Sequence, residues 1–287
     1  IYLNLTVSQN FGQNKCMECV LSKIIPKFAR YVKSNGMALI SNNEIKRIKS
    51  LQQKKFRDET GLFVVEGEKL VAEAASSVFE VECEYHRETV GEEAMKRMSS
   101  LSSPSPVLAV VRKPHDVYVD DVSVLEPYLA EGGLFLALDT IRDPGNLGTI
   151  IRIADWFGIK AVFATRDTVD VFNPKVVQAT MGAIFRVKIH YVDLDVVMNR
   201  IKEAGGRIYG TFLDGRDMYG CELDGGKESP SVIVIGNESE GISAEIGALV
   251  TDRLYIPPYP ADTPGSESLN AAIATAITVA EFRRRML

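Results

Sequence analysis

The stretch from Leu138 to Gly158, LDTIRDPGNLGTIIRIADWFG, runs from an apolar segment through a polar turn into an amphipathic one. The turn holds Asp143, Pro144, Gly145, Asn146 and Gly148, and Arg152 follows one turn into the helix predicted over GTIIRIADWF. So polar a turn between two elements that read as buried asks for a chemical reason. Around it, short apolar runs alternate with helical patterns. LFLALD, AVFAT, RVKIHYV, RIYGTFL, SVIVIGN and RLYIP read as strands, with PKVVQATMGAI and LDVVMNRIKEAG as further helices between them. This alternation predicts an α/β domain whose parallel sheet is covered on both faces. Taken alone, the strand pattern gives an open doubly wound sheet, because knots are nearly absent from proteins.

Upstream the pattern changes. The 287 residues, 46% hydrophobic, allow two domains, and the exposed-looking VLEPYLAEGG places a linker near Glu131. Residues 1–36 read as an extension, 37–130 as a small α/β module and 131–287 as the larger domain, with Met37 a possible natural start. In the module, SNNEIKRIKSLQQKKFR predicts one helix from Ser41, with Ile45, Ile48 and Leu51 on its inner face. LFVVEGEKLVAEA predicts a strand, a turn at Gly67 and a helix, PVLAVVRKP predicts a strand, and the glutamates from Glu80 to Glu93 read as an acidic run.

A net charge of −5 argues against a polycation, but charge is segregated along the chain. Lys46, Arg47, Lys54, Lys55 and Arg57 crowd into the first helix, whose basic side is either a solvated face or a surface that displaces counterions from nucleic-acid phosphates. With Arg142 from the polar turn they form the candidate phosphate-contacting set. Four cysteines and no charged-then-apolar leader point to a reducing cytoplasm. The lone pair Cys16 and Cys19 has no second pair or nearby histidine, so no metal site is assigned. No run approaches the ~18 apolar residues of a membrane span.

Ligands of a parallel α/β sheet bind beyond the carboxyl ends of its strands. Three such ends carry polar clusters: the opening stretch, SVIVIGNESEGIS, and YIPPYPADTPGSESLN before a long terminal helix. The usual catalytic sets are missing from them. His86, His115 and His190 lie elsewhere, GNESEG is not a hydrolase elbow, and neither a phosphate-binding loop nor the dinucleotide glycine fingerprint is present. Such a site works mainly by positioning.

In their order and residues, these three clusters resemble the sequence motifs of the SpoU (TrmH) branch of the SPOUT RNA methyltransferases, over roughly residues 134–287. The upstream IKRIKSLQQKKFRDETGLFVVEGEKLV resembles the ribosomal-protein-like RNA-binding domain that often precedes that catalytic domain. The resemblance implies a C-terminal trefoil knot, a homodimer with its active site near the subunit interface, and transfer of a methyl group from S-adenosylmethionine to a ribose 2'-hydroxyl of RNA. It places Asn146, Arg152, Glu238, Ser268 and Asn270 around the acceptor and Thr211, Gly236, Ile256 and Leu269 around the cofactor. Arg152 would grip a phosphate or the 2'-oxygen, with Glu238 orienting its fork. Ile256, Pro257, Gly265, Ser268, Leu269 and Asn270 anchor the third motif, although Pro258 stands where the family commonly has methionine and the following loop is longer. The extra domain favours ribosomal over transfer RNA; an RNA-binding member without catalysis and a nucleotide-dependent oxidoreductase are the other readings.

Overall fold

The computed structural model describes residues 40–120, 122–227, 229–260 and 268–287. Cys16, Cys19, Met37 and Gly265 lie outside them. Ser41 caps helix α1 (Asn42–Ser50) by accepting from the Glu44 amide, and Ile45 and Ile48 turn inward as expected. The helix does not run on to Arg57. It ends at Leu51 and the chain restarts as α2 (Lys54–Thr60). Arg57 explains the break: its Nη1 donates to the Leu51 and Gln52 carbonyls at 2.9 and 2.8 Å, serving acceptors that a continuous helix would have used.

Strand β1 (Leu62–Glu66), helix α3 (Glu68–Ser76), strand β2 (Val81–His86), helix α4 (Glu92–Met98) and strand β3 (Val107–Arg112) complete the module, with β3 central in an antiparallel sheet. β2 corrects the reading of an acidic run. Val81, Cys83 and Tyr85 alternate there with Glu82 and Glu84, the period of a strand with one wet face.

All six downstream strand expectations are met: β4 (Leu134–Leu138), β5 (Ala161–Ala164), β6 (Lys188–Tyr191), β7 (Arg207–Asp217), β8 (Ser231–Ile235) and β9 (Asp252–Tyr255). They form one parallel sheet in the order β6-β5-β4-β8-β7-β9. An open doubly wound sheet would place β7 against β4; here β8 takes that position and β7 lies outside it. The expected linker is structured, as a short turn of 3-10 helix and α5 (Glu126–Glu131), with Tyr128 edge-on to Phe135 and Phe163.

Residues of β4 alternate between two layers. Leu134, Leu136 and Leu138 pack with α6 (Pro144–Trp156), α7 (Pro174–Thr180) and α9 (Ala271–Arg284), whereas Phe135 and Ala137 pack with α8 (Leu194–Glu203). The first layer does not stop at the domain boundary. Phe63, Val65, Ala109 and Val111 of the module join the same cluster, while its other sheet face packs on α1 and α4. Among the described residues no helix is long and apolar enough to cross a membrane.

A buried ion pair reinforces this junction. Arg57, 2% exposed, donates from Nε and Nη2 to Asp170 at 3.0 and 2.7 Å, and Asp170 also accepts from the Tyr118 hydroxyl and the Phe172 amide. Asp170→Ala strands the guanidinium without its counter-charge, so denaturant titration should show a loss of about 3–5 kcal/mol. A loss below about 1 kcal/mol, the scale of an exposed pair, would remove Arg57 from this role.

Candidate active site

Asp143 caps α6, accepting from the Asn146 amide at 2.8 Å, and Pro144 fills the first helical position. Asn146 therefore stands in the first turn of the helix and not in a loop. The amide that would have faced a nucleotide is already taken by Asp143. Arg152 correspondingly sits more than two turns into α6, not one.

The side chain of Asn146 joins the three loops. Its Nδ2 donates to Glu238 Oε1 at 2.8 Å, and its Oδ1 accepts from Asn270 Nδ2 at 2.8 Å. Asn270 in turn caps α9, its Oδ1 accepting from the Ala272 and Ile273 amides at 3.0 and 3.2 Å. Three of the five expected acceptor-side residues thus form one hydrogen-bonded chain drawn from three separate segments. Ser268 is exposed beside it, without a hydrogen bond among the described residues.

Arg152 is not part of that chain. It is exposed and has no hydrogen-bond or ion-pair partner among the described residues. Six residues along α6 carry it ~9 Å and ~240° from Asn146, onto another face of the helix. Glu238 orients Asn146, not Arg152, which corrects the expected role of that carboxylate. One turn beyond Arg152, Trp156 is 84% exposed. Helix α9 runs parallel to α6: at their starts Asn270 meets Asn146, and at their ends Arg283 donates to the Phe157 and Gly158 carbonyls at 2.8 Å each. Burial pushes the Arg283 pKa below the usual guanidinium value.

Gly236 and Ile256 directly follow the carboxyl ends of β8 and β9, and Thr211 lies within the longer β7 between them, just before its register shifts. Gly210 pairs with Val234 and Thr211 with Leu254, so the three residues are nearly level. A Cβ at Gly236 would lie 2.2 Å from the Gly241 carbonyl carbon, so the chain's own returning loop already demands glycine there. Leu269, 48% exposed, directly precedes Asn270.

The basic set separates into different environments. Arg57 is buried against Asp170 and is withdrawn from any phosphate surface. Arg47 pairs with Glu44 and Glu82, Lys54 with Asp58 at 2.6 Å, and Lys55 loosely with Glu59 at 3.9 Å. Lys46 and Arg142 are exposed, with no partner among the described residues. His190 is buried, bonded to the Asp116 carbonyl and the Tyr128 hydroxyl, and burial lowers its pKa, so it is a neutral packing group.

The model of the SpoU rRNA methylase family matches residues 133–280. The chain belongs to that family. Its residues 42–113 match the MRM3-like substrate binding domain. The chain is similar to the 23S rRNA (guanosine(2553)-2'-O)-methyltransferase RlmP of Bacillus subtilis (strain 168), with 31% identity over 84% of this chain and 96% of that protein. Among solved structures, a TrmH-family protein from Porphyromonas gingivalis matches with a TM-score of 0.75 and 38% identity, over 86% of this chain and 100% of the other. The AdoMet-bound rRNA methyltransferase from Sinorhizobium meliloti also matches with a TM-score of 0.75, at 29% identity over 86% of this chain and 97% of its own.

Sequence reading overlooked Asp143, although an aspartate directly before a proline is a helix-start signal. It also gave Asn270 one role where the structure gives two, and substitutions separate them. Asn270→Ala loses the cap of α9 and should cost about 1 kcal/mol of stability together with activity. Asn270→Asp keeps the capping acceptor but turns the donor toward Asn146 into a repelling oxygen. Thermal melting should therefore stay near wild type for Asn270→Asp while methyl transfer falls, and normal transfer would discard the Asn146 contact as functional.

Proposed function

We propose that this chain methylates a ribose 2'-hydroxyl in ribosomal RNA, with S-adenosylmethionine as donor. The observation that carries the reading is the bonded chain Glu238–Asn146–Asn270, with Thr211, Gly236 and Ile256 level on three adjacent parallel strands. Ribosomal RNA is preferred because relatives such as RlmP are named for 23S rRNA and because an MRM3-like substrate binding domain precedes the catalytic region.

The residues present suit the cofactor. Leu269 offers exposed apolar surface for a flat base, and Ile256 packs a partly buried side chain against the core, leaving its backbone for polar contacts. Bound S-adenosylmethionine supplies a methyl group already activated on a sulfonium. The chain's task is to hold the 2'-oxygen in line with it and to manage the hydroxyl proton. Asn146, its amide fixed by Glu238 and Asn270, fixes the floor on which the acceptor ribose rests. Arg152 grips a phosphate or the 2'-oxygen through its fork of donors; a guanidinium stays protonated and is a poor base, so the proton passes to a nearby phosphate oxygen.

Because Arg152 faces away from Asn146 in its own chain, a homodimer with the site at the subunit interface is the arrangement that uses both. The exposed Trp156 on α6 and the half-exposed Ile273 on α9 supply an apolar face for it. A trefoil knot in the β7–α9 region accords with β8 lying between β4 and β7. Lys46, Arg142 and the loosely paired Lys55 remain the RNA-facing cations, and the free thiols of Cys83 and Cys221 suit a reducing compartment, taken as the cytoplasm.

Labelled methyl transfer from S-adenosylmethionine to purified ribosomal and transfer RNA, followed by mapping of 2'-O-methylated positions, tests the reading. Transfer to ribosomal RNA is expected; transfer to neither would sink the assignment. In the same assay Arg152→Lys, which keeps charge but not the planar fork, should lower the rate about a hundredfold with cofactor affinity nearly unchanged. Sedimentation equilibrium should give a dimer at micromolar concentration, weakened more than about tenfold by Trp156→Glu. A monomeric wild type would remove the shared site.

A further inference from the structure

The turn that leads to Asn146 and the loop that carries Glu238 are held together by a residue to which no role has yet been given. Asn237 is 9% exposed and makes hydrogen bonds at every polar atom it has. Its side-chain Oδ1 accepts from the Ser239 and Glu240 amides at 2.9 and 3.1 Å, and its backbone exchanges two bonds with Gly241, at 2.9 and 3.0 Å. These four bonds shape the loop that follows β8. The fifth leaves the loop: Asn237 Nδ2 donates to the Thr140 carbonyl at 2.8 Å.

Thr140 is an unusual recipient. Its φ of 60° lies in the left-handed region, which a β-branched residue adopts only when its surroundings compel it. Its amide donates to Thr165 Oγ1 at 2.9 Å and its carbonyl is gripped by Asn237, so both ends of the strained residue are clamped. Thr140 directs the chain out of β4 toward Asp143 and Asn146. Asp139, 4% exposed, ties the far end of the β8 loop by accepting from the Ser243 amide at 2.7 Å.

We infer that Asn237 is a positioning residue for methyl transfer: by bonding Thr140 it fixes the first motif loop against the second, so that Glu238 and Asn146 meet in register. The inference rests on the functional reading above. Asn237 does not itself touch the acceptor; it acts through Glu238 next to it in the chain and through the Thr140 turn that leads to Asn146.

Asn237→Asp isolates the cross-loop bond. The carboxylate still accepts from the Ser239 and Glu240 amides but sets an oxygen against the Thr140 carbonyl. Protonation would restore a donor at that place. Burial and the acidic neighbours Asp139, Glu238 and Glu240 raise the pKa of the introduced acid, while the two loop amides that bond it pull the other way. Single-turnover transfer to ribosomal RNA, measured against wild type in parallel, should fall on the order of tenfold to a hundredfold near pH 8.5. S-adenosylmethionine affinity by calorimetry should change by less than about threefold, since uniform binding is left intact. The ratio of variant to wild-type rate should then recover as the pH is lowered toward about 6. Asn237→Ser keeps an acceptor for the loop amides but is too short to reach Thr140; it should show the loss without the recovery. Wild-type rates in either variant would overturn the inference. A wild-type enzyme that transfers no methyl group to ribosomal RNA would overturn the functional reading and this inference with it.

Discussion

The two ends of one side-chain amide hold the candidate site together. Asn146 donates to Glu238 and accepts from Asn270, residues that are 92 and 124 positions away in the chain. An amide is suited to this because it offers a donor and an acceptor on one planar group, so its two partners fix its orientation between them. A carboxylate would repel Glu238, and an ammonium could not accept from Asn270. The geometry works only if the strand ends carrying these residues are neighbours. The exchange of β7 and β8 does that, placing β8, with Glu238 just beyond it, directly against β4, with Asn146 just beyond that.

Much of the larger domain is written in short-range pattern. Six apolar runs of strand length, separated by helical periodicity, lead to six parallel strands because burial on both faces leaves little room for polar residues. Strand order is not written there. Local periodicity says which residues are buried but not beside which neighbour, and the position of β8 is set by contacts between distant segments. β2 was hidden for another reason: its wet face is nearly all glutamate, so its charge drew more notice than its alternation.

The same distinction governs the charged residues. Arg57 reads as one member of a basic cluster, yet its counter-ion is 113 residues away and nothing near it in sequence announces that partner. Once folded, the cluster is largely neutralised by Glu44, Glu82, Asp58 and Asp170, leaving fewer cations for a polyanion than composition implies. Arg152 shows the opposite case. Its motif marks it as important, but only helix geometry reveals that it faces away from the residues it was expected to join.

The apolar cluster shared between the N-terminal sheet and the catalytic layer, pinned by a buried ion pair, has a consequence for substrate selection. A module fused to a core in this manner does not swing on a tether. The span between whatever it grasps and the bonded amide of Asn146 is constant, so the pair behaves as a caliper with locked jaws. A partner that reaches both must fit that fixed span.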